Sequence, residues 1–185
     1  FLEMQSIPGS SSIAFWNQGN AFERTSLRII PVTGGDPKEV FSLFFGVDYL
    51  VSPDGSKFLL SRLVQRGGTG ISLGTISRDG GSYRNLSIPT LAGKAVWSQN
   101  SRIIYYAIPG GVSSGAILPN DYYRSPILTT DTFWKMDTET GEASRIVDTG
   151  NIEQGYDAES FSLDANETAL FFRNRRDGKV YRIGL

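Results

Sequence analysis

The 185-residue chain contains no cysteine and no histidine. Without cysteine it can form no disulfide and no thiolate metal site, and it has no thiol nucleophile. Without histidine it cannot build a histidine-based catalytic triad, and it lacks the side chain most often used as a general acid or base. Since these residue types dominate catalytic and metal sites, we expect a non-catalytic protein with no metal and no cofactor.

An excess of one charge and long apolar runs are also missing. The 18 basic and 19 acidic residues give a net charge of −1, so no global field attracts nucleic acid or an anionic membrane. Every apolar run is far shorter than the roughly 20 residues of a membrane helix. We therefore predict no nucleic-acid partner and no membrane span in this chain. Its opening, Phe1-Leu2-Glu3-Met4, leads us to expect a fragment or a processed product.

Short apolar runs indicate an all-β protein. Each run has about four β-branched or aromatic residues and follows a turn-forming segment, a pattern that favours strands over helices. The runs are Ile13-Ala14-Phe15-Trp16, Phe58-Leu59-Leu60, Ile103-Ile104-Tyr105-Tyr106 and Ala169-Leu170-Phe171-Phe172. The 21 glycines and 8 prolines interrupt helical periodicity, and we expect no amphipathic helix.

A repeat of about 46 residues is the most informative feature of the sequence. The turn Val51-Ser52-Pro53-Asp54-Gly55 is matched 46 residues later by Trp97-Ser98-Gln99-Asn100-Ser101. A weaker match, Phe161-Ser162-Leu163-Asp164-Ala165, lies 64 residues further on. Independently of these turns, Gly34-Gly35 recurs as Gly80-Gly81 with the same spacing of 46. Two unrelated landmarks with one period indicate repeated structural units.

Each unit is predicted to hold four antiparallel strands. In the second unit the strands are expected at 47–51, 58–63, 71–76 and 83–86, with a tight hairpin at Asp79-Gly80-Gly81 between the last two. Four such strands in about 45 residues form one blade of a β-propeller, and a β-sandwich is the alternative. The sequence predicts a partial or small propeller of about four blades.

The units are expected to form one propeller-like domain over residues 1–185. We place the repeats at about 1–46, 47–92, 93–152 and 153–185. The last unit ends on Lys179-Val180-Tyr181-Arg182-Ile183-Gly184-Leu185, where a third strand is expected, so we predict an incomplete final blade. Because an unpaired strand edge favours association, the chain is either part of a larger propeller or able to self-associate through its open blade edges.

The turn Ser52-Pro53-Asp54-Gly55, followed by Ile76-Ser77-Arg78-Asp79-Gly80-Gly81 and an apolar strand, resembles the TolB-like (WD40-like) repeat. The third unit keeps the aromatic-Ser start as Trp97-Ser98 but has Gln99 and Ser101 in place of Pro and Gly. The resemblance implies a propeller that binds a protein or peptide, in a bacterial periplasm, cell envelope or extracellular setting. Accessory propellers of larger hydrolases and carbohydrate-binding proteins are the alternative function.

An insertion in the third unit is the candidate binding site. Thr140-Gly141 follows Gly80-Gly81 by 60 residues instead of 46, which places about 14 to 18 extra residues within 108–131. This segment contains Asp121-Tyr122-Tyr123-Arg124, and tyrosine and arginine are enriched at binding hot spots. Insertions in repeat proteins often lie on the binding face. The alternative is a loop packed over a blade edge for stability.

Two other groups of charged residues are interpreted as structural. Asp157 and Glu159, like Glu139 and Glu142, could in principle act as paired carboxylates, but such residues near turns are usually solvated turn formers. The basic segment Arg173-Asn174-Arg175-Arg176-Asp177-Gly178-Lys179 is predicted to be a polar hairpin between two strands.

Overall fold

The computed structural model describes residues 1–124, 127–152 and 154–185. Strands dominate this part of the chain, and the four apolar runs identified in the sequence all lie in strands. In chain order the strands are β1 (Leu2–Ile7), β2 (Ser12–Asn17), β3 (Leu27–Pro31), β4 (Lys38–Phe41), β5 (Asp48–Val51), β6 (Lys57–Leu63), β7 (Ile71–Ser77), β8 (Arg84–Ile88), β9 (Ala95–Trp97), β10 (Ile103–Gly110), β11 (Thr130–Asp137), β12 (Ala143–Arg145), β13 (Ala158–Leu163), β14 (Ala169–Asn174) and β15 (Val180–Gly184).

Consecutive strands pair antiparallel in four separate sheets, which we call blades 1 to 4. Blades 1, 2 and 3 hold β1–β4, β5–β8 and β9–β12, and blade 4 holds β13–β15. The prediction of an all-β, partial propeller with a three-stranded final blade is confirmed. Each sheet also lies within one of the four ranges assigned to the repeats.

The core lies between neighbouring blades, and the run Phe58-Leu59-Leu60 in β6 shows why consecutive residues are apolar. Phe58 and Leu60 pack in the cluster between blades 1 and 2, while Leu59 between them packs in the cluster between blades 2 and 3. Successive side chains of a strand point to opposite faces. A strand with a blade on each side therefore needs apolar residues on both faces.

Two glycines of the repeat motifs lie where blades 1 and 2 approach most closely. Gly55 has a φ of +66° and Gly80 a φ of +87°, a backbone region that other residues rarely adopt. A Cβ atom on Gly55 would overlap the carbonyl oxygen of Pro8, and one on Gly80 would overlap that of Val40. Both glycines are therefore needed for turn geometry and for blade packing.

The turns that join the first two strands of each blade contact one another along one end of the molecule. The backbone N–H of Asp54 donates to Ser101 Oγ at 2.9 Å, which links blades 2 and 3. Gln99 Nε2 donates to the carbonyl oxygen of Ala165 at 2.9 Å, which links blades 3 and 4. With the Gly55 contact to Pro8, these bonds form a continuous chain of turns from blade 1 to blade 4.

The insertion of blade 3 is shorter than the range assigned to it and contains a helical turn. Strands β10 and β11 are paired up to Gly110 and Thr130, so the connection spans 111–129, and residues 125 and 126 lie outside the described residues. Helix α1 (Asn120–Arg124) was not expected, since five residues are too few to show a helical period. The Asp121 carboxylate accepts a hydrogen bond from the backbone N–H of Ile117 at 2.7 Å and fixes the start of this turn.

Candidate binding face

The end of the propeller opposite the chain of turns carries the insertion and the start of the first strand of each blade, which we call the inner strand. Antiparallel topology brings the connections between blades and the loops between second and third strands to this same end. A charged residue lies at or just before the start of three inner strands: Asp48 opens β5, Lys94 precedes β9 and Asp157 precedes β13. These three residues and the insertion define the binding face described below.

Lys94 is the centre of a buried ionic group. Its side chain is 1% exposed, and its Nζ lies 2.7 Å from Asp131 Oδ2 and 2.7 Å from Asp157 Oδ1. The same nitrogen donates to Thr129 Oγ1 at 3.2 Å and to the carbonyl oxygen of Ala158 at 2.9 Å. The ammonium group thus has four acceptors for its three protons, and it ties the connection before blade 3 to blades 3 and 4.

Burial and pairing act in opposite directions on the two carboxylates. Burial raises the pKa of Asp131, although Lys94 and Thr129 oppose that rise. Burial also acts to raise the pKa of Asp157, but the charge of Lys94 and the hydrogen bonds from Lys94, Thr129 and Tyr122 outweigh it. The pKa of Asp157 is therefore lowered. Asp157 also pairs with Arg175, whose Nη1 lies 3.0 Å from Oδ2. The group therefore balances two cations against two carboxylates.

Asp157 and Arg175 attach the insertion to blade 4. The Tyr122 hydroxyl donates to Asp157 Oδ1 at 2.9 Å, and the Arg175 guanidinium lies 4.1 Å from the centre of the Tyr122 ring. Arg175 Nη2 also donates to the carbonyl oxygen of Tyr122 at 3.3 Å. The segment 173–179 does connect β14 to β15, but Arg175 points back into the group. The interpretation of Asp157 as a solvated turn former is wrong, because its side chain is fully buried.

The other side of the insertion contacts blades 1 and 2. Asn120 Oδ1 accepts a hydrogen bond from the backbone N–H of Ala21 in blade 1 at 2.7 Å. The Tyr123 hydroxyl lies 3.3 Å from Asp48 Oδ2, and Trp16 Nε1 donates to the other oxygen of Asp48 at 2.8 Å. Burial raises the pKa of Asp48 despite the bonds from Trp16 and Tyr49. One insertion from blade 3 thus bridges the other three blades.

A polar cleft of about 450 Å³ opens beside the insertion on this face. Helix α1 supplies one wall, with Asn120, Tyr123 and Arg124. The loop between β2 and β3 supplies the other, with carboxamides and a carboxylate from Asn17, Gln18, Asn20 and Glu23, and Phe1 lies at its margin. The cleft offers hydrogen-bond donors and acceptors and an exposed guanidinium on a fixed frame.

The four residues predicted to bind a partner occupy different environments. Asp121 accepts a hydrogen bond from the backbone N–H of Ile117, and Tyr122 is 5% exposed and held by Asp157 and Arg175. Tyr123 is half-buried and lines the cleft, while Arg124 is exposed and lines it too. The structure therefore gives Asp121 and Tyr122 a scaffolding position and brings Tyr123 and Arg124 to an accessible surface. A binding role for these residues stays a prediction.

The buried ionic group around Lys94 was not predicted from the sequence because its members are far apart in the chain. A signal was nevertheless present: Asp48 and Lys94 are separated by 46 residues, which is the repeat spacing. Charged residues are rarely buried. A charged residue at the same position of two repeats, directly beside an apolar inner strand, is therefore an unusual feature. That position marks the face on which the insertion lies.

Across 1–124, 127–152 and 154–185, no group of three or more acidic side chains is arranged to hold a metal ion. Among the same residues no helix has the length and apolarity needed to cross a membrane.

Comparisons with known proteins support the fold. No protein-family model and no curated protein sequence matches the chain. Among solved structures, a protein of Agrobacterium tumefaciens assigned as TolB superposes with a TM-score of 0.67 at 16% identity, covering 100% of this chain and 58% of that protein. The chain therefore spans a little over half the length of that relative. The TolB-like β-propeller fold expected from the repeats is confirmed.

The same fold occurs in enzymes. An oligogalacturonate lyase in complex with manganese has a TM-score of 0.63 at 15% identity, with 100% of this chain and 48% of the lyase covered. An acylaminoacyl peptidase of Pyrococcus horikoshii has a TM-score of 0.53 at 16% identity, with 98% of this chain and 32% of the enzyme covered. At these identities the likeness shows a shared fold alone.

Proposed function

We propose that this chain is a non-catalytic propeller module that binds a protein or peptide partner at the cleft beside the insertion. The observation that carries the proposal is the placement of Tyr123 and Arg124. Both line a 450 Å³ cleft on a helical turn that is tied to three blades. Arginine and tyrosine are frequent binding anchors, and the neighbouring carboxamides can pair with the amides of a peptide.

The buried charges favour a structural role over a catalytic one. Lys94, Asp131 and Asp157 are the residues whose chemistry could serve a reaction, but their side chains are 1%, 0% and 0% exposed. Their polar atoms are bonded to each other and to neighbouring groups. A substrate would have to displace these bonds to reach them. We therefore propose that the group holds the insertion in place for binding.

A selection of random twelve-residue peptides displayed on phage tests the proposal. The bait is the immobilised chain, and each enriched peptide is then measured against Arg124→Glu and against Arg145→Glu, an exposed arginine on β12 in blade 3. We expect Arg124→Glu to weaken binding by about tenfold or more, because it removes a guanidinium anchor and reverses its charge. Binding should be unchanged in Arg145→Glu. Enrichment no greater than on the bare support, or equal binding to Arg124→Glu, contradicts the proposal.

The TolB likeness alone supports placement in a bacterial cell envelope, its periplasm or the extracellular space. The alternative function is an accessory propeller of a larger hydrolase, which the peptidase match favours because it covers 98% of this chain and 32% of that enzyme. A Gly-x-Ser-x-Gly nucleophile elbow encoded in the same polypeptide would support this alternative. Reading the gene on both sides of the present sequence tests it.

We also propose that the isolated chain self-associates through its outer blades. Among the described strands β15 pairs with β14 alone, and Leu2 and Met4 of β1 are 56% and 60% exposed. Open strand edges and exposed apolar side chains both favour association. Light scattering over a range of concentrations should show a dimer or larger species. A monomer at every concentration contradicts self-association and leaves the binding proposal intact.

A further inference from the structure

Three apolar side chains are exposed on adjacent loops of the binding face. Phe22 lies between β2 and β3, Leu43 between β4 and β5, and Val64 between β6 and β7; they are 44%, 62% and 68% exposed. By the strand topology these loops lie at the end of the propeller that carries the insertion. Exposed apolar residues are ordinary when scattered, but a group of them next to a cleft is typical of a binding surface.

Hydrogen bonds hold these loops together as one surface. The backbone N–H of Gly67 donates to the carbonyl oxygen of Ala21 at 2.8 Å, and Arg66 Nε donates to that of Phe22 at 3.0 Å. The backbone N–H of Leu63, next to Val64, donates to the carbonyl oxygen of Phe45 at 3.0 Å. The surface is therefore formed before a partner arrives, and little ordering entropy opposes binding.

The charges on this surface are mainly positive. The segments 18–26, 42–47 and 64–70 contain Arg24 and Arg66 against Glu23, and they contain no lysine and no aspartate. Arg24 lies 5.6 Å from the centre of the Phe45 ring, and Arg124 adds a third guanidinium at the cleft. Asp121 of the same helical turn adds a second carboxylate, which accepts a hydrogen bond from Ile117, so three arginines face two carboxylates. This excess of positive charge contrasts with the net charge of −1 for the whole chain. We call Phe22, Leu43, Val64, Arg24 and Arg66 the arginine-apolar patch.

We infer that the partner is an acidic protein segment with apolar side chains, which lies in the cleft and extends over the arginine-apolar patch. This inference rests on the proposed function and specifies the chemistry of the partner. Charge complementarity requires carboxylates opposite the arginines. Aromatic residues and arginine are enriched in protein interfaces, from which lysine is depleted. A membrane surface fits less well, since lipid-binding clusters usually hold about four to eight basic residues.

Four fluorescein-labelled synthetic peptides of equal length provide the test, measured by fluorescence anisotropy. One alternates glutamate with leucine and phenylalanine, one has serine in place of its apolar residues, one has lysine in place of glutamate, and one has glutamine in place of glutamate. We expect the acidic apolar peptide to bind about tenfold or more tightly than the other three. Its affinity should fall as salt is added.

Matched variants assign the binding to the patch. Val64→Ser and Arg66→Glu should each weaken binding of the acidic apolar peptide by about fivefold to tenfold. The controls are Val32→Ser, at a valine between β3 and β4 that is 61% exposed, and Arg145→Glu on β12 of blade 3. Neither control should change the affinity. Equal affinity for the acidic and basic peptides, or equal binding by patch and control variants, overturns the inference.

The outcomes separate this inference from the proposed function. A phage-selected peptide that needs Arg124 but is indifferent to Val64→Ser and Arg66→Glu refutes the acidic apolar partner and leaves peptide binding at the cleft standing. Vesicles of phosphatidylserine that bind the chain through Val64, with no binding of any peptide, refute both. Binding of the acidic apolar peptide with loss in both patch variants supports both.

Discussion

Substitution of Lys94 by methionine removes the cation from the buried group that joins the insertion to blades 3 and 4. The methionine side chain has a similar length, so the change removes charge and hydrogen bonds more than volume. Asp131 Oδ2 and Asp157 Oδ1, each 2.7 Å from the ammonium nitrogen, are left in a site from which water is excluded. Removing one partner of a buried ion pair costs about 3–5 kcal/mol, against a total stability of about 5–15 kcal/mol for a typical domain.

The pH dependence of this loss follows from the shifted pKa values. In the wild type, pairing lowers the pKa of Asp157, so its contribution to stability is present above the unfolded value of about 3.9 and is lost as the pH falls through the folded value. Without Lys94, burial dominates at Asp131 and raises its pKa further. A raised folded pKa contributes stability at low pH that is lost as the pH rises. The loss of unfolding free energy caused by Lys94→Met should therefore be smaller at pH 5 than at pH 7.

Urea unfolding followed by tryptophan fluorescence measures both effects. A second variant, Lys94→Met with Asp131→Asn, restores the charge balance with Arg175 and Asp157 and keeps an acceptor for the backbone N–H of Ala158. It should recover about half of the lost free energy at pH 7. A loss below about 1 kcal/mol in the single variant, or a deficit that grows as the pH falls, would refute the ionic role of this group.

Substitutions at Gly80 and Asp48 test the packing of blades 1 and 2, and Gly141→Ala is the control for Gly80→Ala. In urea unfolding, Gly80→Ala should lower the free energy of unfolding by about 2 kcal/mol or more, because its Cβ would overlap the carbonyl oxygen of Val40. Gly141 has a similar φ of +81°, but the nearest atom to an added Cβ is 3.8 Å away. Gly141→Ala should therefore lower the free energy of unfolding by about 1 kcal/mol. Asp48→Asn should stay within about 1 kcal/mol of the wild type at pH 7 in thermal unfolding, because it keeps an acceptor for Trp16 and removes a charge that burial disfavours. Asp48→Ala should cost about 2 kcal/mol, since Trp16 loses its partner.

The repeat pattern predicted the fold well because its signals are local. A turn of the type Ser52-Pro53-Asp54-Gly55 and a hairpin with Gly80 specify their geometry within a few residues. The later units show how the geometry persists when the sequence changes. Ser101 and Glu167 have φ values of +55° and +53°, in turns where no glycine is present. The contacts of Ser101 with Asp54 help to hold this unfavourable backbone in place.

The binding face was predicted in part. Excess length between the repeats located the insertion, but length carries no information about which side chains face inward. Tyr122 and Arg124 are two residues apart, yet one is buried against Asp157 and the other is exposed at the cleft. The buried group depends on contacts between residues far apart in the chain, such as Lys94 with Asp157, which are 63 positions apart. Such pairings follow from blade packing and could not be derived from local patterns.

Hydrogen–deuterium exchange with the acidic apolar peptide bound to the wild-type chain tests the central claim, that the face carrying the insertion is the binding face. We expect slower exchange of backbone amides in 18–26, 64–70 and 117–124 when the peptide is present. Amides of the turns at 52–56 and 98–101, at the opposite end, should exchange at unchanged rates. Protection confined to those turns, or no protection at a saturating peptide concentration, would contradict the account.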